Sequence, residues 1–200
     1  MRTMRRRDFL YTIALAGLAP LAAGHAQPDK TKVLLDTDIG DDIDDAWALA
    51  FVISYQRFTP LGVTIAHGNT PARAKIACKF LHVTKRDDIP VHVGRKTNDK
   101  VFPQYSWAED FTAKQPDKKT AAEFIVETVK RYPGEVTLLA VGPLQNMADA
   151  LRKEPNLTKY VKRVVLMSGC VYGTSYSPDK PIREWNVYQS TADAQLVYGA

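Results

Sequence analysis

Cysteine is nearly absent: Cys78 and Cys170 are the only two in 200 residues. Two thiols so far apart do not make a disulfide framework. Core burial must therefore do the work of folding, and 45% hydrophobic content over this length is enough for a real core. Glycine (11) and proline (12) are not enriched, and no repeat or heptad pattern is visible. Those absences exclude a collagen-like chain, a disordered tail and a coiled coil. No basic stripe with interleaved aromatics is present, so nucleic acid is not an expected partner. Beyond the N-terminus, no segment is long and apolar enough to span a bilayer.

The N-terminus reads as an address. Arg5, Arg6 and Arg7 precede Asp8-Phe9-Leu10, then an apolar, small-residue stretch from Tyr11 to Ala23, then Gly24-His25-Ala26. Basic, apolar, small-residue cleavage site is the order of a secretory signal. The Arg6-Arg7-Asp8-Phe9-Leu10 run is similar to a twin-arginine signal. The expectation is a signal peptide over 1–26, removed on export to the periplasm or beyond, with no stable membrane association afterwards. The net charge of +5 changes with it: without 1–26 there are 23 basic and 21 acidic residues.

Beyond this segment, strand and helix patterns alternate. Strands are expected at Lys32–Asp36, Leu61–Ala66, Ile89–Val93, Val136–Val141 and Val161–Met167. Helices are expected at Ile43–Tyr55, with Ile43, Ala46, Trp47, Ala50 and Phe51 as its apolar stripe, and at Pro71–Val83 with Thr70 as N-cap. Others are expected at Thr120–Tyr132, Leu144–Lys153 and Ala192–Tyr198. Cys78 falls on a helical apolar pattern and is expected in the core, and Cys170 near a site. Residues 96–117 carry Tyr105, Trp107 and Phe111 without a period and read as a long loop of the kind that often forms a lid. The fold class is α/β: a mostly parallel open sheet flanked by helices. Ligands of such sheets bind beyond the carboxyl ends of the strands.

Polar residues collect at those ends. Asp36, Asp38, Asp41, Asp42, Asp44 and Asp45 place six carboxylates within ten residues, where a strand gives way to a helix. Such density repels unless a cation compensates it, and hard oxygen ligands suit calcium or magnesium rather than zinc. A helix dipole accounts for Asp44 and Asp45 but not for Asp36 and Asp38. Gly40 is fifth in the run, not sixth, so this is not an EF-hand. Asn69 follows His67-Gly68 at the second strand end, and Gly142-Pro143 frees the Val141 carbonyl to face a ligand. Glu184 and Asn186, two apart, point the same way in extended chain, with Trp185 opposite and expected to pack.

In this order, the residues resemble the inosine-uridine preferring nucleoside hydrolase family. The resemblance rests on Asp36-Thr37-Asp38-Ile39-Gly40, Asp44-Asp45-Ala46, Gly68-Asn69, Val141-Gly142-Pro143-Leu144-Gln145-Asn146, Val165-Leu166-Met167-Ser168-Gly169 and Glu184-Trp185-Asn186. It implies calcium-dependent hydrolysis of the N-glycosidic bond of ribonucleosides, in a homodimer or homotetramer. Asp38 would be calcium ligand and general base, Asp45 a second ligand, and Val141 a ligand through its carbonyl. Asp44, Asn69, Glu184 and Asn186 would hold the ribose hydroxyls.

The sequence departs from the family pattern in three ways. Ile39 stands where proline is usual. Two extra residues follow Gly40, so Asp41 or Asp42 competes with Asp44 and Asp45 for their roles. The family's C-terminal His-Asp pair has no counterpart up to Ala200, so 27–200 reads as the N-terminal part of such a domain. Two other readings follow: a ribose- and calcium-binding remnant without turnover, and a phosphatase of the haloacid dehalogenase type with Asp36 as nucleophile.

Overall fold

The computed structural model describes residues 30–173, 180 and 182–200. The expected signal peptide lies outside the described residues.

Six strands form one parallel sheet: β1 (Thr31–Thr37), β2 (Phe58–Ile65), β3 (Val91–Val93), β4 (Asp117–Thr120), β5 (Val136–Ala140) and β6 (Arg163–Leu166). Their order is β4-β3-β2-β1-β5-β6. The chain builds outward from β1 to β4, then returns to the other side of β1 to lay down β5 and β6. The order thus reverses between β1 and β5, and a crevice opens at the carboxyl ends of such a pair. Among the described residues, α1 (Asp44–Ser54), α2 (Thr70–Val83), α3 (Ala121–Arg131) and α4 (Gln145–Lys153) lie between strands, and α5 (Trp185–Gln189) and α6 (Thr191–Tyr198) follow β6.

Strand β1 is buried on both faces, and its side chains alternate between two cores. Val33 and Leu35 enter a cluster with Leu49, Val52, Ile76 and Leu81 of α1 and α2. Leu34 enters the opposite cluster with Ile125, Val129, Met147 and Ala194 of α3, α4 and α6. Cys78 is fully buried in the first cluster; both cysteines are free thiols, with Cys170 half-buried.

The expected parallel sheet is present, and three local expectations change. Helix α1 turns its expected apolar stripe outward: Ile43 is 58%, Trp47 69% and Phe51 52% exposed. Asp45, Leu49 and Val52 face inward instead. Asp45 is fixed by a hydrogen bond from the Thr37 hydroxyl, and that polar anchor sets the rotation of the helix. The N-cap of α2 is Asn69, not Thr70: its side-chain oxygen accepts from the Ala72 amide at 3.3 Å. Segment 96–117 is partly ordered, with a 3₁₀ turn at Pro103–Trp107 and its end joining the exposed edge strand β4.

Truncating either side chain at the centre of β1, Leu34→Ala or Leu35→Ala, leaves a cavity in a different core. Each is expected to cost about 2–5 kcal/mol in denaturant unfolding, with no change in the fold by circular dichroism.

Candidate functional site

The end of β1 packs three aspartates into a small space. Asp36 is fully buried beneath the crevice. Its Oδ1 accepts from the Thr64 hydroxyl of β2 at 2.5 Å and from the Asn146 amide of α4 at 2.7 Å, while its Oδ2 has no partner among the described residues. Burial, opposed by those two hydrogen bonds, raises its pKa to about 7. Asp38 and Asp45 are also buried, and desolvation raises both; each is close enough for charge–charge coupling, with Asp38 pushing Asp45 up. Gly40, at φ +129°, turns the chain into the exposed Asp41-Asp42 loop, and Asp44 and Asp45 open α1.

Strand β5 closes the other side. The Val141 amide donates to the Asp36 carbonyl at 2.9 Å, so the chain after β5 runs against the acidic turn. Gly142 is required there: a Cβ would sit 2.6 Å from Asp38 Oδ1 and 2.9 Å from its amide nitrogen. The third wall is α5. Glu184 is its N-cap, accepting from the Asn186 amide at 2.9 Å, the Val187 amide at 3.0 Å and the Gly169 amide at 3.1 Å. The Asn186 side chain donates to the Val141 carbonyl at 2.9 Å and to the Met167 carbonyl at 2.8 Å. Each such carbonyl keeps a second lone pair for a ligand.

These elements enclose a cleft of about 510 Å³. Asp38, Asp44, Asp45, Val141, Glu184 and Asn186 all line it, so six of the seven expected site residues come together. Asn69 does not line it; its side chain caps α2 and donates to the Asp99 carbonyl at 3.3 Å. Asp41 and Asp42 line the cleft with Asp44, so the extra residues of the turn stay beside the pair they compete with. Glu184 and Asn186 share the wall as cap and first turn of a short helix, not as neighbours on extended chain. Trp185 is 59% exposed on the cleft instead of packed, because the helical turn rotates it outward. Asp36 lies under the cleft with no exposed atoms, which removes it as a nucleophile and with it the phosphatase reading.

The donor set is carboxylates and a carbonyl, all hard oxygens, and fits a hard divalent cation. Buried carboxyls with raised pKa values and one orphaned oxygen mark a place where positive charge is short. Among the described residues, no three His, Cys, Asp or Glu side chains converge tightly enough to hold a metal ion. Sequence reasoning missed Arg73, a buried cation beside Asp38, and Gln104, which donates to the Asp42 carbonyl at 2.7 Å. Arginine on an otherwise apolar helix face was the signal for the first.

The family description "Inosine-uridine preferring nucleoside hydrolase" matches residues 33–200. The chain belongs to that family. A relative named "Probable uridine nucleosidase 2" from Arabidopsis thaliana is 33% identical over 187 residues, 85% of this chain and 56% of the relative. "Pyrimidine-specific ribonucleoside hydrolase RihB" from Escherichia coli is 28% identical over 85% of this chain and 56% of its own length. Among solved structures, "Plant nucleoside hydrolase - PpNRh1 enzyme" superposes with a TM-score of 0.70 at 27% identity, over 84% of this chain and 56% of that one. The Gardnerella vaginalis "Purine-Preferring Ribonucleoside Hydrolase" shares the fold, with a TM-score of 0.69 at 22% identity. The chain spans a little over half the length of these relatives.

Two outcomes follow from the acidic turn. The raised carboxyls hold their protons more tightly in the folded chain than in the unfolded one, where they titrate near pH ~4. Stability from the protonated forms is complete below that value and is lost as pH rises toward about 7, through the folded pKa of Asp36. With chelator present, the melting temperature is expected to fall steadily between pH ~5 and ~7; a flat profile contradicts the burial argument. Gly142→Ala is expected to displace Asp38 and weaken cation binding at least about tenfold by calorimetry, a cost of ~1.4 kcal/mol.

Proposed function

We propose that this chain carries the calcium- and ribose-binding part of a site that hydrolyses the N-glycosidic bond of ribonucleosides to ribose and free base. One observation carries the reading: Asp38, Asp44, Asp45, Glu184, Asn186 and the Val141 carbonyl meet on a single cleft at the switch point of the sheet. The activities in the relatives' names, uridine nucleosidase and ribonucleoside hydrolase, agree with it.

Asp38, Asp45 and the Val141 carbonyl would hold the calcium. When bound, the ion lowers the pKa of a coordinated water and orients a vicinal diol. Asp38 would take the water's proton. Asp44, Glu184 and the Asn186 Oδ1 would accept from the ribose hydroxyls. Asn69 does not line the cleft and is left out of this set. The surrounding carboxylates favour the positive charge that develops on the sugar as the bond to the base breaks. Trp185 offers an exposed aromatic face at the same cleft for the sugar or base to pack against. By the sequence of residues 1–26, the mature chain acts in the periplasm or outside the cell, as a homodimer or homotetramer by resemblance.

A second reading is a chain that binds calcium and ribose without turnover. It is favoured by the absence of a histidine from the cleft lining among the described residues. Release of free base from uridine and inosine, with calcium and with chelator, separates the two. Calcium-dependent release supports hydrolysis; ribose binding by calorimetry without release supports the second reading. For the hydrolase, Asp38→Ala is expected to lower turnover about 10²–10⁴-fold and to weaken calcium binding together. Near-normal turnover by that variant would show the site assignment to be wrong.

A further inference from the structure

Arg73 is among the largest fully buried side chains, at 1% exposed, and no step above uses it. It projects from the first turns of α2 into the space between the ends of β1 and β2. Its Nε donates to the His67 carbonyl at 3.0 Å, and its Nη1 to the Ile39 carbonyl at 3.0 Å. Nη2 lies 3.6 Å from Asp38 Oδ2. The Phe102 ring covers the guanidinium, with its centroid 3.6 Å from the central carbon, and Phe102 is itself buried.

Each contact falls on chain that shapes the cleft. Ile39 follows Asp38 directly. His67 is one of two non-glycine residues at positive φ (59°) among the described residues, a conformation that the surroundings must hold in place. Beyond Phe102, the Gln104 amide donates to the Gly40 carbonyl at 3.2 Å, and its side chain to the Asp42 carbonyl. One guanidinium therefore ties both strand ends, and the ring over it belongs to the segment that braces the acidic turn. A planar fork holds two carbonyls and faces a carboxylate in fixed directions; an ammonium, a point charge with three turning donors, does not fix those directions.

We propose that Arg73 is a positioning residue: it fixes the backbone on either side of the crevice so that the Asp38 carboxylate is presented to the cation. The proposal rests on the calcium reading of the cleft. It opposes the simplest electrostatic expectation. A fixed positive charge beside Asp38 repels a cation, so removing it should tighten calcium binding if charge alone mattered. A positioning role has the opposite sign.

The test is calorimetric titration of calcium alone into the 200-residue chain and into Arg73→Met and Arg73→Lys, with thermal unfolding measured separately. Both variants are expected to bind calcium at least tenfold more weakly, the lysine variant because it keeps the charge and loses the fork. Equal or tighter binding by a folded Arg73→Met overturns the proposal, as does a lowered melting temperature with unchanged affinity. If Arg73→Met does not fold, Arg73→Lys decides: wild-type affinity there also overturns it. Failure of the wild-type chain to bind calcium overturns the calcium reading itself; binding by wild type with unaltered variants overturns this proposal alone.

Discussion

Burial of carboxyls at the end of β1, compounded by their mutual repulsion, is the constraint around which this chain is arranged. Asp36, Asp38 and Asp45 are all buried, and their charges cannot coexist there without compensation. Neighbouring elements answer it locally. Thr64 and Asn146 hold one oxygen of Asp36, Thr37 holds Asp45, the start of α1 faces Asp44 and Asp45, and Arg73 stands beside Asp38. These groups come from β1, β2, α1, α2 and α4, so the acidic turn is where both faces of the sheet meet. What they leave undone, a cation in the cleft would complete.

The fold was legible because β1, β2 and β5 are apolar runs that could only be interior strands, and because Thr120 and Pro133-Gly134 mark the ends of α3 with ordinary capping and turn chemistry. Legibility failed where polar contacts decided the outcome. An apolar periodicity reports one amphipathic face; it does not say that a single inward aspartate will turn α1 so that Trp47 and Phe51 meet solvent. Strand β4, Asp-Lys-Lys-Thr, is exposed at every position and has no apolar pattern to read. Strand β2 begins three residues before the expected Leu61. Pro60 cannot donate to the ladder, and the register slips between Val33 and Leu34 beside it.

The site was legible for a different reason. Most of its residues sit at strand ends, which a parallel sheet gathers on one edge whatever their separation in sequence. Asp38 and Val141 meet this way, because β1 and β5 are neighbours in register. Glu184 and Asn186 were harder, since their placement depends on a five-residue helix and on the Asn186 amide reaching the Val141 and Met167 carbonyls. Asn69 shows the limit: a residue at the right strand end is spent on capping the next helix.

The walls of the cleft come from residues 38–45, Val141, Met167 and residues 184–186, four stretches that only the completed sheet brings together. Any ion or sugar seated there binds the folded chain and not its unfolded ensemble. Occupancy is then coupled to folding by mass action, growing as RT ln(1 + [L]/Kd). The outer wall, α5, is short and held chiefly by caps and two amide contacts, so it is the part whose opening would release a bound ligand with the sheet intact. A cation seated there would in this way act as part of the chain's own stability, and its withdrawal would be felt first at α5.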